Sequence, residues 1–278
     1  MESNIIFSKT FEYSNEDREV VDIVNGVKQG KAIYYYDNGD KEEFTYVDGK
    51  LQGKSTRYYY DNEDIEEFIY IIKREKTYIN GVLQGKAITY FNNGDRNEFT
   101  YVDGMAQGYS IYYCTNGDKE ERTYIDGKLQ GEATIYFKDG DKEEFTYVDD
   151  IEQGKAIYYY ADGDKEEKTY IDGVEQGKAI YYYVDGDIEE LNYVDGVIQG
   201  KAIYYFESGK LERIYVDGKA QGKATFYYDN GDIEEFTYVD GVKQGKSVLY
   251  TSNGEKEERI YVDGVLKKSI VYHQSWDE

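Results

Sequence analysis

Residues 241–247 read Gly-Val-Lys-Gln-Gly-Lys-Ser, one residue short of a loop that cradles phosphate. A phosphate loop sets four residues between its glycines and follows them with Lys and Ser or Thr. Backbone N–H groups and the dipole of the next helix then converge on the anion. Gly241 and Gly245 have only three residues between them, as do Gly49 and Gly53 in Gly-Lys-Leu-Gln-Gly-Lys-Ser. A tyrosine-rich stretch of strand-forming residues follows in place of a helix. The loop also recurs ten times, mostly as Gly-Lys-Ala, with Tyr109 and Glu132 in the lysine position. The likeness is a by-product of repetition, and a nucleotide cradle is excluded.

Other residues that could carry chemistry are weaker still. Glutamates recur in pairs: Glu42–Glu43, Glu66–Glu67, Glu120–Glu121, Glu143–Glu144, Glu166–Glu167, Glu189–Glu190, Glu234–Glu235 and Glu257–Glu258. Neighbours on a strand point to opposite faces, so a pair cannot serve one substrate as acid and base. They are expected to be solvated strand surface, partly compensated by lysine. Turn aspartates such as Asp37 and Asp40 could attract calcium, but that ion wants six to eight oxygens and the EF-hand spacing is missing. Turn chemistry accounts for them. The single Cys114 and the single His273 lie far apart in sequence, which does not suggest a nucleophile and its base. Cys114 is expected to be a small packing residue, and Trp276 to cover the last strand. No catalytic residue, cofactor site or metal site is expected.

The 278 residues include 35 Tyr, 29 Gly and no Pro. Ordinary usage would supply about 5% proline. Proline is expelled from continuous sheet, so its absence suits a chain of strands and tight turns. The net charge of −24 opposes nucleic acid and anionic lipid, whose phosphates need clustered cations. A protein partner with a basic surface is the expectation. No run of 18 apolar residues occurs, so neither a signal peptide nor membrane insertion is expected, and the predicted setting is cytoplasmic.

Gln-Gly dipeptides end at Gly30, Gly53, Gly85, Gly108, Gly131, Gly154, Gly177, Gly200, Gly222 and Gly245. Seven of these steps are 23 residues, one is 22, and one carries a nine-residue insertion. A unit such as 154–176 reads as a strand, Lys-Ala-Ile-Tyr-Tyr-Tyr, then an Asp-Gly or Asn-Gly hairpin turn, then a returning strand. The Asn-Gly turn is taken as a two-residue type I′ loop. The expected fold class is all-β: an elongated antiparallel β-hairpin array, a single-layer twisted sheet of about 23 strands. The expected organisation is one repeat domain over 1–278. Its parts are a degenerate N-terminal cap (1–30), repeats over 31–264 with an insertion near 65–76, and a closing strand and tail (265–278). The insertion reads as a strand copied twice, as a bulge or lengthened strand, or as a docking point.

The stretch Tyr-Val-Asp-Gly-Lys-Leu-Gln-Gly-Lys-Ser-Thr-Arg-Tyr-Tyr-Tyr-Asp-Asn, 46–62, and its copies resemble MORN repeats of a variant, longer-hairpin form. The resemblance covers about residues 8 to 274. It implies an extended antiparallel sheet serving as scaffold or binding surface, with no enzymatic chemistry.

With a two-residue loop at Asn38–Gly39, Tyr35 would pair with Glu42, Tyr34 with Glu43 and Ile33 with Phe44. One face would then carry Ile33, Tyr35, Phe44 and Tyr46 with Glu42. The other would carry Ala32, Tyr34, Tyr36, Thr45 and Val47 with Glu43 and Lys41. The fifth residue of each tyrosine strand forms a ladder: Tyr90, Tyr113, Tyr136, Tyr159, Tyr182, Tyr205, Tyr227 and Tyr250. Rungs would stand about 9.6 Å apart, two strand spacings. The row Phe145, Lys168, Leu191, Arg213 and Phe236 is expected to fill the gaps. The ladder is the candidate interaction surface of a non-enzymatic scaffold that binds proteins through an acidic, tyrosine-rich face; self-association is compatible with it. Binding of carbohydrate or cell-wall polymer, and an antitoxin or immunity role, are the alternatives.

Overall fold

The structure, a computed structural model, describes residues 6–60 and 69–272. His273, Trp276, the pair Glu66–Glu67 and the first part of the insertion lie outside them. Every element among the described residues is a β-strand, and neighbouring strands pair antiparallel. Of the thirty-two strand segments, nine are two residues long, each cut from the strand that follows by a Gln-Gly step. Rejoined, they leave the 23 strands expected. The chain divides into two compact units, 1–138 with 147–150, and 139–146 with 151–278.

Within each unit the hairpins alternate between two turn types. At Asp48–Gly49 both residues have positive φ, 49° and 76°, and Val47 pairs with Lys50: a two-residue turn of the I′ kind. At Asn38–Gly39 only Gly39 is left-handed, with φ 91°. The Gly39 amide donates to the Tyr36 carbonyl and the Tyr36 amide to the Asp40 carbonyl, closing a three-residue loop with a glycine bulge. The expected register is therefore wrong by one residue. Tyr35 pairs with Lys41, Tyr34 with Glu42, Ile33 with Glu43 and Ala32 with Phe44.

That shift sorts the faces. One carries Ala32, Tyr34, Glu42, Phe44 and Tyr46, and its row of small residues is the most buried part of the molecule. In the first unit the row is Ala32, Ser55, Ala87, Ser110 and Ala133, at 1–3% exposure; in the second it is Ala156, Ala179, Ala202, Ala224 and Ser247, at 0–3%. Each small residue opposes a large one: Ala32 faces Phe44, Ala156 faces Lys168, Ala179 faces Leu191, Ala202 faces Arg213 and Ala224 faces Phe236. The row expected to fill the tyrosine ladder thus lies on the other face. In the second unit Ala179, Leu191 and Ala202 form a core under Tyr181, Tyr193, Tyr204 and Tyr215. In the first, Val21, Ile23 and Ala32 do so under Phe11, Phe44 and Tyr46.

Repeat is stitched to repeat at both edges of the sheet. At the three-residue turns an aspartate accepts from a backbone amide twenty residues on: Asp40 from Tyr60 and Asp95 from Thr115 in one unit, Asp141 from Ala161 and Asp164 from Val184 in the other, all at 2.8 Å. At the two-residue turns the glutamine of Gln-Gly does the same work. Gln84 Oε1 accepts from the Asp103 amide at 2.8 Å, and Gln153 Nε2 donates to Asp172 at 2.6 Å. Asp95 is 7% exposed and also holds the Tyr112 hydroxyl at 3.0 Å and Asn93 at 2.7 Å. Replacing Asp95 with Ala is expected to destabilise the first unit by about 2–3 kcal/mol, because the Thr115 amide and the Tyr112 hydroxyl lose a charged acceptor. Urea unfolding checks this.

The end strands are edges. Ile6–Glu12 pairs only with Arg18–Val24, and Val265–Tyr272 only with Lys256–Val262, among the described residues. The described part of the insertion belongs to Ile71–Ile79, a nine-residue strand with a register shift between Ile71 and Lys73. Of the readings offered for it, a lengthened strand with a bulge matches this part.

Candidate interaction face

Two kinds of site follow from the two faces. On the alanine face the first glutamate of four pairs, and Glu19 in the equivalent strand position, is not solvated as expected but enclosed, while Glu120, Glu143 and Glu257 are half-buried. Glu19, Glu42, Glu166, Glu189 and Glu234 are 2–9% exposed. A tyrosine six residues upstream donates its hydroxyl to the glutamate: Tyr13 to Glu19 at 2.7 Å, Tyr36 to Glu42 at 2.8 Å, and Tyr183 to Glu189 at 2.9 Å. Buried charge persists only when paired and hydrogen-bonded, and these carboxylates are structural posts. Burial, and hydroxyls given to Asp17 and Asp95, push Tyr34 and Tyr112 up to about 12.

The neutral phenol is the folded form, so that stabilisation is whole below pH 10 and is lost as pH rises through about 12. An ultraviolet titration is expected to show one class of tyrosines that ionises only as the sheet unfolds. Asp95→Asn is expected to release Tyr112 from that class.

In each unit the opposite face carries three straight rows, of which the first holds the ladder tyrosines. In the second unit the first row runs Tyr159, Lys165, Tyr182, Ile188, Tyr205, Lys210, Tyr227, Ile233, Tyr250, each residue in register with the next. In the first unit it includes Tyr90, Arg96, Tyr113, Lys119 and Tyr136. Lysine, arginine or isoleucine, not the expected Phe145 row, sits between the rings. Arg96 lies 4.1 Å from the Tyr113 ring centre, Lys119 4.7 Å from Tyr136 and Lys210 4.7 Å from Tyr227. Such contacts hold a ring in place while leaving its outer surface wet. Tyr136, Tyr205, Tyr227 and Tyr250 are 38–44% exposed; Tyr90, Tyr113, Tyr159 and Tyr182 are half-buried.

The second row alternates Ile157, Glu167, Ile180, Glu190, Ile203, Glu212, Thr225, Glu235, Val248 and Glu258. The third places Lys155, Lys178, Lys201, Lys223 and Lys246 opposite Thr169, Asn192, Ile214, Thr237 and Ile260. A glutamate of the middle row is shared by two lysines. Glu167 meets Lys155 at 2.7 Å and Lys165 at 2.5 Å; Glu212 meets Lys201 at 2.9 Å and Lys210 at 2.7 Å; Glu258 meets Lys246 at 2.7 Å and Lys256 at 2.8 Å.

From Lys155 to Glu258 these three rows carry eight lysines and five glutamates. It is not the acidic face expected. The negative charge of this unit gathers in its turns, among them Asp162, Asp164, Asp185 and Asp187 at one edge and Asp172, Asp195, Asp217 and Asp240 at the other.

Among the described residues no group of three or more His, Cys, Asp or Glu is placed to hold a metal ion. Cys114 is half-buried in the turn position occupied elsewhere by tyrosine, and burial pushes its thiol up. No helix among these residues is long and apolar enough to cross a membrane.

The repeat itself decides the family. The MORN repeat matches residues 22–41, 77–96, 100–119, 123–142, 146–165, 169–188, 192–210 and 214–233. The chain belongs to the MORN-repeat family. A matched segment such as 169–188 spans the end of one strand, the two-residue turn, the Gln-Gly step, the tyrosine strand and the three-residue turn. Each MORN repeat from 77 to 233 therefore delivers one rung to the ladder, and proteins built of MORN repeats are typically non-catalytic scaffolds. No curated protein matches the chain. Among solved structures, the G-box domain of the microcephaly protein CPAP is similar over 92% of this chain and all of its own. That likeness has 12% identity and a TM-score of 0.22, too low a score to carry an inference.

Proposed function

We propose that this MORN-repeat chain is a non-enzymatic scaffold that binds a protein partner through its tyrosine-ladder face. The observation behind the proposal is the row of part-exposed tyrosines at equal intervals, several of them held by a neighbouring lysine or arginine. Tyrosine gives large contact area with few rotors, and a ring already held in place loses little freedom on binding. The alanine face offers less, since its carboxylates and phenols are committed to one another.

The test is capture from an extract of the source organism at low and high salt, with partners identified by mass spectrometry. A stoichiometric protein is expected on the wild-type chain, reduced at least tenfold by combining Tyr182→Ser, Tyr205→Ser and Tyr227→Ser. Circular dichroism confirms that the variant keeps its strands. Equal retention by the variant would contradict use of this face. Salt-insensitive retention of a polysaccharide with no protein would favour the carbohydrate-binding alternative.

A further inference from the structure

The third row of the ladder face in the second unit has a repeat length of its own. Lys155, Lys178, Lys201, Lys223 and Lys246 occupy the same place in five successive tyrosine strands, and all five are exposed. Strands 4.8 Å apart set these lysines about 9.6 Å from one another, so the five span about 38 Å. Shallow depressions lie between successive lysines. That between Lys178 and Lys201 is about 230 Å³, between Lys201 and Lys223 about 220 Å³, and between Lys223 and Lys246 about 200 Å³. Four of the five lysines meet a glutamate of the middle row, Lys178 meeting Glu190 at 3.1 Å, and three of those glutamates are shared by a second lysine, so lysines outnumber glutamates over the three rows.

A ligand that meets every lysine in turn must present an anion at the same interval. A β-extended peptide does not, because like-facing side chains recur about every 6.6 Å. A left-handed polyproline II chain has three residues per turn and a rise of 3.1 Å, so every third side chain faces the same way about 9.3 Å on. Five such side chains span about 37 Å, within about 1 Å of the lysine row over its whole length. Flexible lysine stems absorb that difference. The tyrosine ladder runs parallel to the lysine row, four residues or about 13 Å along each strand and beyond the isoleucine and glutamate row.

We infer that the partner segment is an extended acidic polypeptide in the polyproline II conformation with a carboxylate at every third residue. It lies across the strands along Lys155, Lys178, Lys201, Lys223 and Lys246. This rests on the ladder face being the binding face. The acidic turns do not forbid it. Lys155, the second residue of its strand, stands opposite Thr169, which is three residues or about 10 Å along the strand from the turn residue Asp172. The screening length at physiological salt is about 8 Å.

The probe is a labelled (Glu-Pro-Pro)5 peptide, compared by fluorescence anisotropy with a peptide of the same composition whose glutamates are clustered at one end. Inorganic polyphosphate of equal charge is a third ligand. The spaced peptide is expected to bind at least tenfold more tightly than either. Lys201→Glu combined with Lys223→Glu is expected to weaken it at least tenfold, without changing the far-ultraviolet dichroism of these exposed positions. Equal binding of spaced and clustered peptides, tighter binding of polyphosphate, or indifference to the lysine reversals would overturn the inference.

The two proposals fail separately. A captured partner that survives the lysine reversals but not the tyrosine changes leaves the scaffold standing and removes the acidic segment. A partner indifferent to the tyrosines removes the face itself.

Discussion

Gly209→Ala is expected to unfold the hairpin Gly200–Val216, with a loss well above the 1 kcal/mol typical of a point change. This hairpin belongs to the one 22-residue step, and the missing residue is lost from its turn. Phe206 pairs directly with Gly209 across a two-residue loop, where other tyrosine strands close a three-residue loop. Gly209 has φ 143°, and a Cβ there would stand 2.1 Å from the Tyr227 carbonyl oxygen and 2.9 Å from the Tyr228 Cα. Both obstacles are backbone of the next strand, which cannot swing aside as a side chain can. The methyl group therefore splits Gly209–Val216 from Gly222–Tyr228 or forces the hairpin out of register. Contrast with Gly200→Ala isolates the clash. Gly200 also has positive φ, 78°, but meets nothing within 4 Å, so only the ordinary left-handed penalty of about 1 kcal/mol applies. Hydrogen exchange across 200–239 in the two variants is the measurement; equal protection in both would show that the strand contact is not as close as described.

Glu234→Ala is the other change with a large expected effect. Glu234 is 4% exposed and holds Lys243 at 2.7 Å, Arg259 at 3.4 Å, the Tyr228 hydroxyl at 3.2 Å and the Ser247 hydroxyl. Removing the carboxylate strands Lys243, which otherwise rests on the rings of Phe236 and Tyr261 at 4.0 and 4.2 Å. Breaking a buried ion pair from one side costs about 3–5 kcal/mol. Burial alone would raise the Glu234 carboxyl, but the hydrogen bonds of Lys243 and Ser247 and the charges of Lys243 and Arg259 outweigh it and hold it below the ordinary 4.5. The stabilisation is therefore whole above pH 4.5 and is lost as pH falls through the lower folded value. Denaturant titrations at neutral and acidic pH are expected to show the wild type converging on Glu234→Ala as acid is added. A constant gap between them would mean that packing, not charge, carries the difference.

Much of this was legible in the residues. The Gln-Gly period shows the repeat and its strands, and alternation along each tyrosine strand puts Tyr90, Tyr113 and Tyr136 in one row of the first unit and Tyr159 to Tyr250 in one row of the second. What misled was the dipeptide at the turn. Asn38–Gly39 and Asp48–Gly49 both satisfy a two-residue turn, but only Asp48 takes positive φ. The difference lies in the tail of the motif: Asp40, two residues beyond Asn38, donates its amide to the Asn38 side chain at 3.0 Å and closes the longer loop. A register wrong by one residue exchanges every cross-strand neighbour: a two-residue loop sets Phe44 against Ile33 and Glu42 against Tyr35, where the three-residue loop sets them against Ala32 and Tyr34.

The charge of the face was misread for a different reason. A net of −24 is a sum over the chain and does not say where the charges sit. The turns hold many of the aspartates, while the strands supply lysines to the ladder face. Enclosure of Glu42 and Glu234 was also hidden, because charged residues are almost never fully buried unless paired, and their partners come from neighbouring strands.

The most direct test of the binding face is lysine footprinting of the chain with and without its captured partner, by acetylation and mass spectrometry. Protection is expected at Lys178, Lys201 and Lys223 on the ladder face, with Lys168 and Lys243 on the alanine face unchanged. Protection of Lys168 and Lys243 with continued labelling of the ladder-face lysines would contradict it and move the partner to the opposite side of the sheet.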